Sequence, residues 1–154
     1  VAETERFETM IHVDITEAVL DPIAALSHCA ADSHGAADLF IGRVRNLNDG
    51  RAVTAVSYDL HPVLCKNIFA EICREAQAQW GDHIHVYLVH RQGRLEVGEA
   101  SVITAVSSPH RAHSFEACRY LIEQMKVRAP IWKQEHYVDG DSEWIKGHAL
   151  RNPA

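Results

Sequence analysis

Residues 36–61 read AADLFIGRVRNLNDGRAVTAVSYDLH: two β-rich segments, Ala36 to Arg45 and Ala52 to His61, around Asn46-Leu47-Asn48-Asp49-Gly50. The central run is too polar, and too clearly ended by glycine, to continue either strand. It is also too short for the helical crossover that a parallel pair demands. The two segments are therefore expected to form an antiparallel hairpin with a mobile tip.

Upstream, Phe7 to Ile15 alternates as a strand, and Asp21-Pro22 supplies a capping carboxylate and a proline for the first turn of a short helix reaching about Cys29. Downstream, Leu64, Ile68, Phe69, Ile72 and Ala76 recur at spacings of three and four, which predicts an amphipathic helix from Pro62 to Trp80, stopped by Gly81-Asp82. His83 to His90 and Ala100 to Val106 read as strands, separated by the turn Glu96-Val97-Gly98-Glu99. Ser107 or Ser108 is expected to cap the next helix, with Pro109 near its first position. That helix should run to about Arg128, because Pro130 disfavours helical geometry in the residue before it. Ile131 to Val138 and Ser142 to Lys146 close the pattern around Asp139-Gly140-Asp141. Strands interrupted by two long helices, with short turns, predict one α+β domain over residues 1–154 with a mainly antiparallel sheet.

Composition agrees with a soluble domain: 47% of the 154 residues are apolar and 23% charged. The first twenty residues scatter Glu3, Glu5, Arg6, Glu8, His12, Asp14 and Glu17 among the apolar positions, so they contain no signal-peptide core. No apolar run approaches the roughly 20 residues needed to span a bilayer, and a cytoplasmic protein is expected. Cys29, Cys65, Cys73 and Cys118 form no Cys-x-x-Cys pair and read as buried free thiols. A formal charge of −6 disfavours nonspecific nucleic-acid binding.

The cations nevertheless cluster. Arg43 and Arg45 end the first β-rich segment, His110 and Arg111 stand at a helix start, and Lys126, Arg128 and Lys133 surround that helix's end. A helix N-terminus offers free backbone N–H groups, so His110-Arg111 suits an anion, although taken alone an ordinary capped helix with solvated side chains is the plainer explanation. Placed at about 100° per residue, Lys126 falls at the margin of the apolar face that carries Cys118, Ile122 and Met125. Burial there, with Arg128 nearby, should lower its pKa and yield some neutral amine. The plainer alternative is a lysine that snorkels to water from the last helical turn. His83 with His85, and His110 with His113, are spaced like metal-ligand pairs but lack an obvious third ligand, so no metal is expected. Walker, Gly-x-Gly-x-x-Gly and Gly-x-Ser-x-Gly motifs are missing from the sequence. Cys118 lies on the apolar helix face and is read as packing.

Four blocks stand in register: Phe40-Ile41-Gly42-Arg43-Val44-Arg45-Asn46, His90-Arg91-Gln92-Gly93, Val106-Ser107-Ser108-Pro109-His110-Arg111-Ala112, and Lys126-Val127-Arg128-Ala129-Pro130-Ile131-Trp132-Lys133-Gln134-Glu135. In order and spacing they resemble the molybdopterin synthase large-subunit family, over about Ala36 to Trp144. The resemblance implies an α/β hammerhead fold and a homodimer of large subunits within a heterotetramer. A small ubiquitin-like sulfur-carrier subunit would bind at each end. The carrier's C-terminal thiocarboxylate would meet cyclic pyranopterin monophosphate in the large subunit's pocket, with no cofactor of the large subunit's own. Carried over by motif, the substrate-contacting positions are Arg43, Val44, Arg45, His110, Arg111, Lys126, Lys133, Gln134 and Glu135, with Lys126 and Lys133 catalytic. Both ligands are anionic, which suits the cation clusters. The sequence departs from the family pattern at Arg43, often lysine, at Gln134, often basic, at Pro109, commonly alanine, and over Asp59 to Leu64.

Overall fold

The computed structural model describes residues 10–145. Its elements run β1 (Ile11–Thr16), α1 (Pro22–His28), β2 (Ala36–Arg43), β3 (Leu47–Asn48), β4 (Arg51–Leu60), α2 (Pro62–Trp80), β5 (His85–Arg91), β6 (Gly93–Glu96), β7 (Ala100–Ser108), α3 (Arg111–Arg128), β8 (Ile131–Tyr137) and β9 (Ser142–Ile145). The expected start of the first strand, Phe7 to Thr9, and its expected last strand residue, Lys146, lie outside the described residues.

Both long helices form where the apolar spacing places them. Asp21 caps α1 by accepting from the Ile23 N–H at 2.9 Å, and His61 caps α2 through Nδ1, which accepts from the Leu64 N–H at 3.2 Å. In the first sheet the strand order is β1-β5-β7-β2, and in the second β3-β4-β8-β9, with β6 also on β4. Among the described residues only β1 and β5 pair in parallel; the other pairings are antiparallel. The expectation of an α+β fold with a mainly antiparallel sheet and two long helices is met.

Period-two alternation distributes β5 between two cores. Ile84, Val86 and Leu88 face α2 and α3, joining Phe69, Ile72, Leu121 and Met125 in the main cluster. Tyr87 and Val89 face the opposite side, where α1 covers them with Leu20, Ala25 and Cys29. A strand covered on both faces must be nearly all apolar, which is why β5 and β7 read as continuous hydrophobic runs. A third cluster, Val44, Val53, Val56, Leu95 and Tyr137, belongs to the second sheet.

The expected hairpin of residues 36–61 is not what forms. β2 pairs antiparallel with β7, from Ala36 opposite Ser108 to Arg43 opposite Ala100, whereas β4 pairs with β8 and β6 in the other sheet. The chain changes sheets at a bulge between Gly42 and Arg43. There the Val44 N–H donates to the Glu99 carbonyl at 3.0 Å, and the Gly98 N–H donates to the Val44 carbonyl at 2.8 Å. Leu39 and Ile41 are needed against Ile103 and Ala105, and Val53 and Val56 against Leu95 and Tyr137. Burial in two separate cores outweighs the local pairing. A reduced hairpin survives, Leu47 opposite Ala52 and Asn48 opposite Arg51, about Asp49 (φ 48°) and Gly50 (φ 76°). Left-handed geometry at both central residues is what a tight two-residue hairpin requires. Its tip is fastened rather than loose, because the Asn48 amide donates to both Glu135 carboxylate oxygens, at 2.8 and 2.9 Å.

Two further expectations need correction. Ser107 and Ser108 do not cap a helix; they end β7, held by pairing with Ala37 and Ala36. The N-cap of α3 is His110, with no side-chain capping bond. The short strand β6 at Gly93–Glu96 was not expected; it lies against Ala55 to Tyr58 of β4.

Candidate functional site

Where β2 leaves the first sheet, the second sheet and the last turns of α3 border a cleft of about 130 Å³. A recess of that size, open to solvent on one side, admits several waters, a phosphate or a chain-terminal carboxylate.

At the end of β2 and just past it, Arg43, Val44 and Arg45 all border the cleft, with Val44 also buried in the third core cluster. Gly42 lies in the same wall. A Cβ there would come within 2.7 Å of Val102 Cγ1, so the wall at that point is bare backbone. On the opposite side the register of β4 and β8 sets Tyr58 against Lys133 and Val56 against Glu135. These four line the cleft. Gln134, one residue out of phase, faces the other side of the sheet and donates to Ser142 Oγ at 2.9 Å.

Glu135 is buried, with 3% of its surface exposed. Its carboxylate accepts from Asn48 and, at 2.8 Å, from the Tyr137 hydroxyl, and Lys133 Nζ stands 3.6 Å away. Lys126 is half-buried on α3. Its pKa is lowered by burial first, then by the charges of Lys133 and Arg45. The neighbour expected to do this, Arg128, instead grips Glu75 on α2 through two bonds of 2.7 and 2.8 Å and lies 3.4 Å from Glu71.

Of the nine carried-over positions, six line the cleft: Arg43, Val44, Arg45, Lys126, Lys133 and Glu135. Gln134 does not, and neither do His110 and Arg111, which are exposed at the start of α3. At 1.5 Å rise per residue, Arg111 stands about 22 Å along the helix from Lys126, so one chain cannot bring them together. The four cysteines are buried and unpaired, as expected. Cys118 Sγ lies 3.2 Å from Thr104 Oγ1, and burial pushes its thiol up to about 12. Among the described residues no three His, Cys, Asp or Glu side chains are placed to hold a metal ion, and no helix is long and apolar enough to cross a membrane.

Sequence reasoning missed Asn48, Tyr58 and His90 as parts of this wall. For His90 a signal existed: in the alternation of residues 83–90 it falls in phase with Ile84, Val86 and Leu88, the core-facing set. A histidine at a position patterned for hydrocarbon demands a reason.

Four cationic side chains around a small recess, one of them an amine with a lowered pKa, suit a group-transfer enzyme with anionic ligands. Comparison with known proteins narrows that class. A family profile described as MoaE protein matches residues 15–128. The molybdopterin synthase catalytic subunit of Synechococcus elongatus is 43% identical over 138 residues, 90% of this chain and 84% of that one. Molybdopterin synthase catalytic subunit 1 of Aedes aegypti is 42% identical over 75% of this chain and 76% of its own. Among solved structures, molybdopterin synthase from Staphylococcus aureus superposes with a TM-score of 0.82 at 30% identity, covering 87% of this chain and 96% of that one. The chain belongs to the MoaE family, the catalytic subunits of molybdopterin synthase, sulfur-transferring enzymes of molybdenum cofactor biosynthesis.

Proposed function

We propose that the cleft brings together the C-terminal thiocarboxylate of a small ubiquitin-like carrier subunit and cyclic pyranopterin monophosphate, and that two sulfur transfers there build the molybdopterin dithiolene. Arg43 and Arg45 hold the phosphate through charge-assisted bonds, their planar forks suiting its oxygens. Lys126 and Lys133 orient the thiocarboxylate and stabilise charge that develops during attack. Glu135 contacts substrate only at the cleft floor and chiefly fixes Lys133. Val44 seats the two arginines. A neutral Lys126 amine can also take the carrier's acyl group.

His110 and Arg111 enter this scheme from a second copy of the chain, in a homodimer that carries one small subunit per catalytic subunit. The recess of one chain is open to solvent on one side, which leaves room for that contribution. The setting is the cytoplasm, where four buried thiols stay reduced.

One observation carries the reading: the amine of Lys126 is half-buried beside two other cations and has no ion-pair partner among the described residues. Incubating thiocarboxylated carrier and the pterin precursor with the parent protein and with Lys126→Ala tests it. Dithiolene is expected from the parent and at least about a hundredfold less from the variant. Complex formation without product from the parent would instead mark a binding-only protein.

A further inference from the structure

His90 ends the helix-facing row of β5 with only 1% of its surface exposed. Its Nδ1 lies 2.8 Å from the Arg91 backbone carbonyl. A carbonyl can only accept, so Nδ1 carries the hydrogen, and in the neutral ring Nε2 keeps a bare lone pair. Nε2 has no hydrogen-bond partner among the described residues. No fully buried side-chain nitrogen or oxygen lacks a partner there, so Nε2 keeps a trace of accessible surface, on a residue that helps to form the wall of the cleft. The Tyr58 and His90 rings meet nearly perpendicular, 5.0 Å apart between centroids.

The rest of the wall makes this atom unusual. Arg43, Arg45, Lys126 and Lys133 only donate. The Glu135 carboxylate is occupied by Asn48, Tyr137 and Lys133. Asn48, Tyr58 and Ser101 bring uncharged oxygens to the wall as well, and a ligand whose phosphate and thiocarboxylate oxygens meet the cations would find at the end of β5 an acceptor on a rigid ring whose other nitrogen is already committed. Burial, reinforced by the charge of Lys126, holds the ring neutral, with its pKa pushed down to about 4.

We propose that His90 Nε2 is a specificity-determining acceptor for a neutral N–H or O–H donor on the uncharged part of the substrate, a role separate from anion binding. It rests on the sulfur-transfer reading above. A polar group buried to receive a donor discriminates strongly against ligands that lack one.

The test compares His90→Phe, flat but without an acceptor, with His90→Gln, which restores one, in the full enzyme with thiocarboxylated carrier. His90→Met stands in should the phenylalanine variant not fold. Expected is a KM for the pterin precursor raised about tenfold or more in the variant lacking the acceptor, with kcat within about threefold and inhibition by inorganic phosphate unchanged. His90→Gln should recover most of the lost KM. An unchanged KM, a fall confined to kcat, or phosphate inhibition weakening in parallel would overturn the proposal, because each means that His90 acts on Lys126 or on cleft shape. Absence of dithiolene from the parent enzyme would sink the sulfur-transfer reading instead. In that case the imidazole nitrogen-15 signal of His90 with added pterin tests the acceptor alone: a shift of Nε2 supports it and no shift overturns it.

Discussion

Lys133 has a carboxylate 3.6 Å away in Glu135, whereas Lys126, the other lysine of the cleft, has no carboxylate partner among the described residues and feels Lys133 and Arg45 as repulsive neighbours. The two amines are thus prepared for different tasks. One stands beside a carboxylate fixed in the core, and the other can lose its proton more readily than a surface lysine.

Lys126 should therefore weaken the fold while serving the reaction. Its pKa is lowered on folding, so between the folded value and lysine's ordinary 10.5 the unfolded chain holds more protons, and stability rises with pH across that window. Below the folded value the penalty of the buried charge is fully present. Lys126→Met removes it and is expected to melt no lower than the parent at neutral pH, while sulfur transfer falls by about 10² or more. Thermal melts alongside turnover check this, and a clear loss of stability would contradict it.

His90 works on the acid side. Its folded pKa of about 4 lies below the ordinary 6.5, so the unfolded chain takes up protons first as pH falls. The stability it contributes is complete above about 6.5 and is lost between there and about 4. A shift of that size corresponds to about 3 kcal/mol. His28 and His34 are also lowered, chiefly by burial, and act in the same sense. Urea midpoints at pH 7 and pH 4.5 should differ markedly in the parent, and less in His90→Phe.

How much of this was legible in the sequence follows from what periodicity encodes. A repeat of three and four tells which side of a helix is buried, so α2, α3 and the marginal place of Lys126 could be read directly. A repeat of two tells which face of a strand is buried but not which strand lies beside it. Hence β2 and β4 were recognisable as strands, while their assignment to different sheets was not, being decided by Ile103 and Leu95 far along the chain. Arg128 shows a related limit: it is near Lys126 in sequence, but two helical positions lie about 200° apart, and the packing of α2 reveals Glu75 as its partner.

Asn48 offers a test of the hairpin tip. Its amide is the link between the β3–β4 turn and the buried carboxylate that neighbours Lys133. Asn48→Ala deletes two charge-assisted bonds and should cost about 1–3 kcal/mol in denaturant unfolding. Loss of kcat/KM by several-fold is expected beside it, because Glu135 then has a second partner to find. Unaltered unfolding would mean that the tip contributes nothing to the cleft.

Arg128 should matter to the fold and not to the chemistry. Its guanidinium joins α3 to α2 through Glu75, which also accepts from the Tyr120 hydroxyl at 2.6 Å. The pair is partly exposed, with 27% and 36% of the side chains accessible, so solvent screening limits its worth to about 1 kcal/mol. Arg128→Gln is expected to lower stability by that amount and leave turnover within about twofold. A large activity defect would revive Arg128 as the group that tunes Lys126.

The separation of Arg111 from Lys126 along α3 makes the last prediction the most discriminating. If each working site takes Arg111 from one copy and Lys126 from another, Lys126→Ala and Arg111→Ala homodimers are both inactive, yet a mixed dimer has one site carrying both lesions and one carrying neither. Random reassortment after mild unfolding and refolding of an equal mixture makes about half of the dimers mixed, so about a quarter of parental activity should return. Sites contained within one chain return nothing on mixing, because every chain then carries a defect in its own cleft. Measuring dithiolene formation before and after reassortment, with each variant refolded alone as the reference, separates the two arrangements.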